Sequence, residues 1–150
     1  AYYMASTLSH KSVTTSFGAK FSVPFAVATL IFHGRPRISN FDEKAVANPI
    51  IQKLAQRIDI RENPDYTAQY PNKQLCHMRI QFKNGSVVEA KADITKGETE
   101  SPHTIEEMKG KFFELTKGVW GERNAEKVYD GLMRLEEIDD VKAFTMANPI

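Results

Sequence analysis

The sequence predicts an α+β fold, with a mainly antiparallel sheet and helices packed on one face of it. The first observation is the alternation of apolar and polar residues through CHMRIQFKNGSVVEAKADI, residues 76–94, which is typical of a half-buried β-hairpin. The second is that segments with helical spacing of apolar residues lie on both sides of this hairpin along the chain. Because strands with one apolar face need a covering layer, the helices are expected on that face.

Composition limits the class of protein. The 150 residues are 41% hydrophobic and 26% charged, with a formal net charge of +1, and they predict one domain over residues 1–150. The near balance of charge argues against nucleic acid as a partner. The single cysteine, Cys76, excludes an internal disulfide and leaves no zinc-binding spacing. It fits a reducing compartment, so we expect a cytoplasmic protein.

The longest apolar run, VPFAVATLIF at residues 23–32, predicts a helix. It is too short for a membrane span, which needs about 20 residues, so no membrane partner is expected. Ser22 is the expected N-cap, Pro24 falls in the first turn and Gly34 follows the last turn. Apolar residues occupy every side, so we expect a helix buried all round, either in the domain centre or against another surface.

Capping signals predict the other helices, and two short strands are expected before the hairpin. Residues 1–8 are expected to form a short strand, and residues 58–60 another, since Ile58 and Ile60 alternate with charged neighbours. The predicted helix starts are Asn40 with Glu43, Asn48 with Pro49, Thr104 with Glu107 in a helix ending at Gly118 or Gly121, and Asn124.

The register of the hairpin follows from the phase of its apolar residues. A two-residue turn would pair Phe82 with Val87 and place the two apolar sets on opposite faces. A three-residue loop, Lys83-Asn84-Gly85, pairs Ile80 with Val88 and places both sets on one face. We therefore predict the three-residue loop, with its glycine in the left-handed conformation as a G1 bulge.

Few residues carry recognisable chemistry. No Gly-rich phosphate loop, nucleophile elbow or metal-ligand spacing is present, so neither a metal nor another cofactor is expected. The one candidate is Lys20, just before the predicted helix start at Ser22, where free N–H groups and a positive dipole end would stabilise a carboxylate. The alternative is a surface lysine that precedes an ordinary cap.

Three segments resemble a known family in their order and spacing. They are GAKFSVPFAVATLIFHG, ANPIIQKLAQRIDI and YPNKQLCHMRIQFKNGSVVEAKADITKGETESPHTIEEMKGKF. Over about residues 14–137 the chain is similar to the second domain of the MmgE/PrpD family. The most specific features are Ala19-Lys20-Phe21-Ser22 with Pro24 and Gly34, Asn84-Gly85, Lys96-Gly97 with Pro102, and Lys111-Phe112.

The resemblance implies a function that the residues alone do not show. Members of this family include 2-methylcitrate dehydratases, cis-aconitate decarboxylases and iminodisuccinate epimerases. They abstract a proton beside a carboxylate of a small di- or tricarboxylate, without a metal or organic cofactor. Their small α/β domain closes over a large helical domain that holds most catalytic groups. The resemblance thus implies a lid, inactive alone, with a helical domain in cis or in trans and a homo-oligomeric assembly.

Lys20 and Ser22 are the substrate-binding candidates under this resemblance, and no residue is assigned a catalytic role. The competing hypothesis is a non-catalytic binding or interaction module that kept the fold. If a neighbouring domain is missing, an apolar patch should be exposed, with Tyr2, Tyr3, Phe17 and Phe21 as its expected contributors.

Overall fold

The computed structural model describes residues 2–35 and 37–147. These residues form nine α-helices, two 3₁₀ helices and one two-stranded antiparallel sheet, which confirms the α+β class. The chain divides into two compact units, Ala1–Thr95 and Lys96–Ile150. That residues 1–150 act as one domain stays a prediction. Among the described residues, no helix is both long enough and apolar enough to cross a membrane.

The first unit contains six α-helices, one 3₁₀ helix and the sheet. In chain order these are α1 (Tyr2–Thr7), α2 (Ser16–Lys20), α3 (Val23–His33), a 3₁₀ helix (Ile38–Phe41), α4 (Glu43–Val46), α5 (Pro49–Ala55), α6 (Pro64–Thr67), β1 (Cys76–Gln81) and β2 (Val87–Ala92). The core lies where α3 packs on α5. Its buried residues are Val13, Ala19, Phe25, Ala28, Val46, Ile51 and Ala55.

Helix α3 begins and ends where the sequence predicts, but it is buried on one face only. Ser22 caps it, Pro24 lies in the first turn and Gly34 ends it with a φ of 79°. Phe25, Ala28 and Thr29 are fully buried. The predicted burial on every side is wrong, because the opposite face exposes Leu30, Ile31 and Phe32 by 39–47%. Within the first unit, α3 therefore contributes one face to the core and leaves the other face uncovered.

Two other predictions in the first unit are wrong for local reasons. Residues 2–7 form helix α1 instead of a strand, as Tyr2 to Thr7 lack a two-residue alternation of apolar and polar side chains. Residues 58–60 lie outside any strand. The N–H of Ile58 donates to the carbonyl of Ala55 at 3.1 Å, and its side chain packs on the core, so this residue extends the end of α5.

The predicted helix start at Asn40 is also displaced. The side-chain oxygen of Asn40 accepts from the N–H of Arg37 at 2.8 Å and closes the 3₁₀ helix. Asp42 caps α4 instead, since its carboxylate accepts from the N–H of Ala45 at 2.8 Å. The start at Asn48 with Pro49 is confirmed, because the Asn48 side chain accepts from the N–H of Ile50.

The hairpin has the predicted register. Ile80 lies opposite Val88, and Gly85 has a φ of 86°. The N–H of Phe82 donates to the carbonyl of Ser86 at 2.9 Å, which closes the three-residue loop. On the apolar face, Ile80 is half-buried while Val88 is 55% exposed.

The second unit contains α7 (Ile105–Trp120), α8 (Glu122–Leu132), a 3₁₀ helix (Leu135–Glu137) and α9 (Val141–Ala147). The capping box at the start of α7 is confirmed, since Thr104 and Glu107 bond to each other's N–H groups at 3.1 and 2.8 Å. Gly121, with a φ of 74°, ends α7 and also caps α8. The last predicted helix therefore starts before Asn124, and α9 is a further helix that the sequence patterns did not predict.

Candidate functional site

The candidate site is the corner where α2 meets α3. The side-chain oxygen of Thr15 accepts from the N–H of Gly18 at 3.0 Å and starts α2. Ala19 is fully buried and anchors this short helix in the core. Lys20, the next residue, is exposed and ends the helix. The corner thus presents a cationic side chain on a short helix that is fixed by the Thr15 cap and by the burial of Ala19.

Ser22 is buried and holds the corner in place. Its hydroxyl donates to the carbonyl of His10 at 2.6 Å and accepts from the N–H of Phe25 at 3.1 Å. The N–H of Val23 donates to the carbonyl of Leu8 at 2.9 Å, and Pro24 has no N–H. The free N–H groups on which the anion hypothesis relied are therefore already hydrogen-bonded within the chain.

Lys20 remains as the group that can attract an anion. No hydrogen bond or ion pair reaches its ammonium group from the residues that the structure describes. Lys11, by contrast, donates to the carboxylate of Asp59 at 2.6 Å and to the carbonyl of Gln56 at 3.0 Å. This hydrogen bond from Lys11 holds the pKa of Asp59 below its usual range. The uncompensated positive charge of this corner therefore belongs to Lys20.

Aromatic side chains lie beside this charge. The rings of Phe17 and Phe21 pack with their centroids 4.8 Å apart. Phe17 is 73% exposed, and Phe21 and Tyr2 are also exposed, which confirms the expected exposure of these three. The side chain of Tyr3 lies outside the described residues. The same short segment of chain therefore exposes both the cation and an apolar surface formed by these two rings.

His10 belongs to the same corner, and the sequence patterns did not single it out. One ring nitrogen, Nε2, lies 3.4 Å from the carbonyl oxygen of Gly18. The backbone carbonyl of His10 accepts the hydroxyl of Ser22. His10 therefore contacts the chain on both sides of Lys20. No motif marks it, because it reaches the corner through the fold of the loop that follows α1.

The other histidines lie elsewhere. His33 ends α3, where its ring packs edge-on against Phe32. His77 lies 3.4 Å from the carboxylate of Glu89 on the hairpin. Among residues 2–35 and 37–147, no group of three or more His, Cys, Asp or Glu side chains could hold a metal ion.

A second cluster of charged groups lies at the start of α7. The carboxylate of Glu107 accepts from the N–H of Thr104, lies 3.2 Å from the ammonium of Lys96 and 3.6 Å from the ring of His103. The hydrogen bond from Thr104, helped by Lys96, lowers the pKa of Glu107. Lys96 is thereby ion-paired with Glu107. This contact with the start of α7 gives a structural role to Lys96, one of the residues on which the resemblance to the family rests.

The corner belongs to an α+β fold and presents Lys20, whose ammonium has no hydrogen bond or ion pair among the described residues, together with the exposed rings of Phe17 and Phe21. The family model of the MmgE/PrpD C-terminal domain matches residues 3–135. The chain therefore belongs to the MmgE/PrpD family, and the match extends across both compact units. No curated protein matches this sequence.

Proposed function

We propose that this chain is the lid and substrate-binding domain of a carboxylate lyase or isomerase of the MmgE/PrpD type. The reaction would be dehydration, decarboxylation or epimerisation of a small di- or tricarboxylate. The observation that carries the proposal is the free charge of Lys20 in a chain that belongs to this family. Both compact units would act together as one domain, since one family model covers both.

Lys20 would position the substrate by attracting a carboxylate. Two opposite charges 4 Å apart gain about 1 kcal/mol in bulk water and about 4 kcal/mol at the effective dielectric near a protein surface. The exposed Lys20 therefore binds weakly until another surface excludes water from it. Ser22 would contribute by fixing the corner, because a direct bond from its hydroxyl to substrate would have to replace the bond to His10.

The partner that excludes water would be the helical MmgE/PrpD domain, in cis or in trans. The exposed rings of Phe17 and Phe21 and the exposed face of α3 support this, since unpaired apolar surface marks interaction sites. The assembled enzyme would be a cytoplasmic homo-oligomer that needs no metal or organic cofactor. Without the helical domain the chain would be inactive.

The test is an assay of 2-methylcitrate, citrate and cis-aconitate with the chain alone and with the matching helical domain. We expect turnover only with both domains. Lys20→Ala should weaken it roughly ten- to a hundredfold, because a charge-assisted contact contributes about 1.5–3 kcal/mol. Lys53→Ala, at another exposed lysine of the first unit, is the control and should have no effect.

Three results would contradict parts of this proposal. Turnover by the lone chain would refute the lid role. Normal turnover by Lys20→Ala would refute the anion site and leave the lid role intact. Absence of both turnover and substrate binding with the helical domain present would favour the non-catalytic interaction module.

A further inference from the structure

Proton abstraction beside a carboxylate needs a base close to the group that holds the substrate. Besides Lys20 and the ion pair of Lys11 with Asp59, the described part of the corner contains one titratable side chain, His10. It is tied to Gly18 through its ring and to Ser22 through its carbonyl, the residues two before and two after Lys20. His10 therefore contacts the backbone before Lys20, at Gly18, and the side chain of Ser22 after it.

The contact with Gly18 determines which ring nitrogen of His10 can act as a base. A carbonyl oxygen only accepts hydrogen bonds, so the nitrogen 3.4 Å from it, Nε2, must carry the proton. In the neutral ring the lone pair then lies on Nδ1. Within the described residues no hydrogen bond or ion pair engages Nδ1, and the side chain is exposed. This is the arrangement of a base whose tautomer is set by a second group.

We propose that His10 is the general base of this site, an inference that rests on the proposed function. Nδ1 accepts the proton from the carbon beside the carboxylate that Lys20 holds. The C–H bond breaks, its electron pair stays on the carbon as an enolate, and the ring becomes an imidazolium. The proton then returns to the carbon or leaves with the departing hydroxyl group as water.

The charged neighbours of His10 suit this role. Lys11, next in the chain, forms an ion pair with Asp59 and donates a hydrogen bond to the carbonyl of Gln56. Lys20 adds positive charge that stabilises the enolate as it forms. No carboxylate of the described residues forms an ion pair with His10, so the ring is free to exchange its proton with a bound substrate.

His10→Gln is the decisive variant. Its side-chain amide can donate to the carbonyl of Gly18 as Nε2–H does, but it cannot accept a proton. His33→Gln is the matched control, because it removes another exposed histidine of the same unit at the far end of α3. The readout is deuterium exchange from D₂O into citrate and 2-methylcitrate, with the helical domain present.

We expect His10→Gln to slow this exchange by about 10²–10⁴-fold, the usual contribution of a general base, with KM unchanged. Lys20→Ala should instead raise KM. A wild-type exchange rate in His10→Gln, with Lys20→Ala impaired, would overturn the inference and leave the proposed function standing.

A second measurement needs only the chain itself. The ¹⁵N chemical shifts of the His10 ring should show the neutral form protonated at Nε2. A ring protonated at Nδ1 would overturn the inference whatever the enzyme assay shows. If the wild-type protein with its helical domain exchanges no deuterium into either probe, both the proposed function and this inference fail.

Discussion

Replacing Thr29 with valine should stabilise the first unit. Thr29 lies on the buried face of α3 with no exposed surface, and its hydroxyl has no hydrogen-bond partner among the described residues. Valine has nearly the same shape and a similar helix propensity, so the substitution removes the hydroxyl and little else. The perturbation therefore isolates the cost of one buried, unsatisfied polar group.

The magnitude follows from that burial. A buried hydroxyl without a partner costs about 1–3 kcal/mol, and Thr29 is fully buried. The free energy of unfolding of the first unit should rise by about that amount. Amide hydrogen exchange in its core should slow by roughly five- to 150-fold, since about 1.4 kcal/mol is a factor of ten.

The assay is hydrogen exchange at the amides of Ala28 and Ala55, fully buried residues inside α3 and α5 that report opening of the core between these helices. Fluorescence would not serve, because Trp120 is the single tryptophan and belongs to the second unit.

Ser22→Ala is the matched control, since it removes a buried hydroxyl that makes two hydrogen bonds. It should speed exchange, as loss of an N-cap costs about 0.5–2 kcal/mol. Unchanged or faster exchange in Thr29→Val would show that its hydroxyl has a partner in solution, and would refute the reasoning.

Three further predictions concern the second unit. Gly97→Ala should lower the free energy of unfolding of this unit by about 1–2 kcal/mol and so lower its urea midpoint, because the φ of 105° disfavours a side chain and the new Cβ would lie 3.2 Å from Nε2 of His103. Gly110→Ala, in open space on α7, should instead raise stability by about 0.5–1 kcal/mol. Acid should loosen the start of α7. The hydrogen bond from Thr104 holds the pKa of Glu107 below its value in the unfolded chain. The ionised Glu107 therefore stabilises the helix start at neutral pH, and this contribution is lost as the pH falls through the pKa of Glu107 in the folded protein. Exchange protection there should therefore fall on acidification, and a Glu107→Gln variant whose protection keeps the same pH dependence would contradict the assignment.

Signals contained within a few residues predicted their structures well. The caps at Ser22 and Thr104 each need a side chain to reach an N–H group three residues away, and both are present. The hairpin register followed from the phase of two apolar sets that share one short loop. These interactions depend on local geometry, so a sequence pattern is enough to predict them.

Lys20 as the candidate cation was predicted by its position before the helix start, but its surroundings were not. The sequence suggested free N–H groups at the start of α3, and the fold brings Leu8 and Ser22 to occupy them. His10 carries no motif and reaches the corner only because its loop returns to α2 and α3. Contacts between residues this far apart depend on the path of the loop.

The sequence by itself determined the caps at Ser22, Asn48 and Thr104, the hairpin turn, the α+β class and the presence of a lysine before α3. Only the tertiary structure decided that Leu30 and its neighbours on α3 are exposed while Phe25 is buried. Apolar composition states what a helix can bury, whereas the faces that other elements cover depend on where the whole chain places them. For the same reason, only the fold decided which partner each polar group of the corner has. It also decided which ring nitrogen of His10 has no hydrogen bond among the described residues.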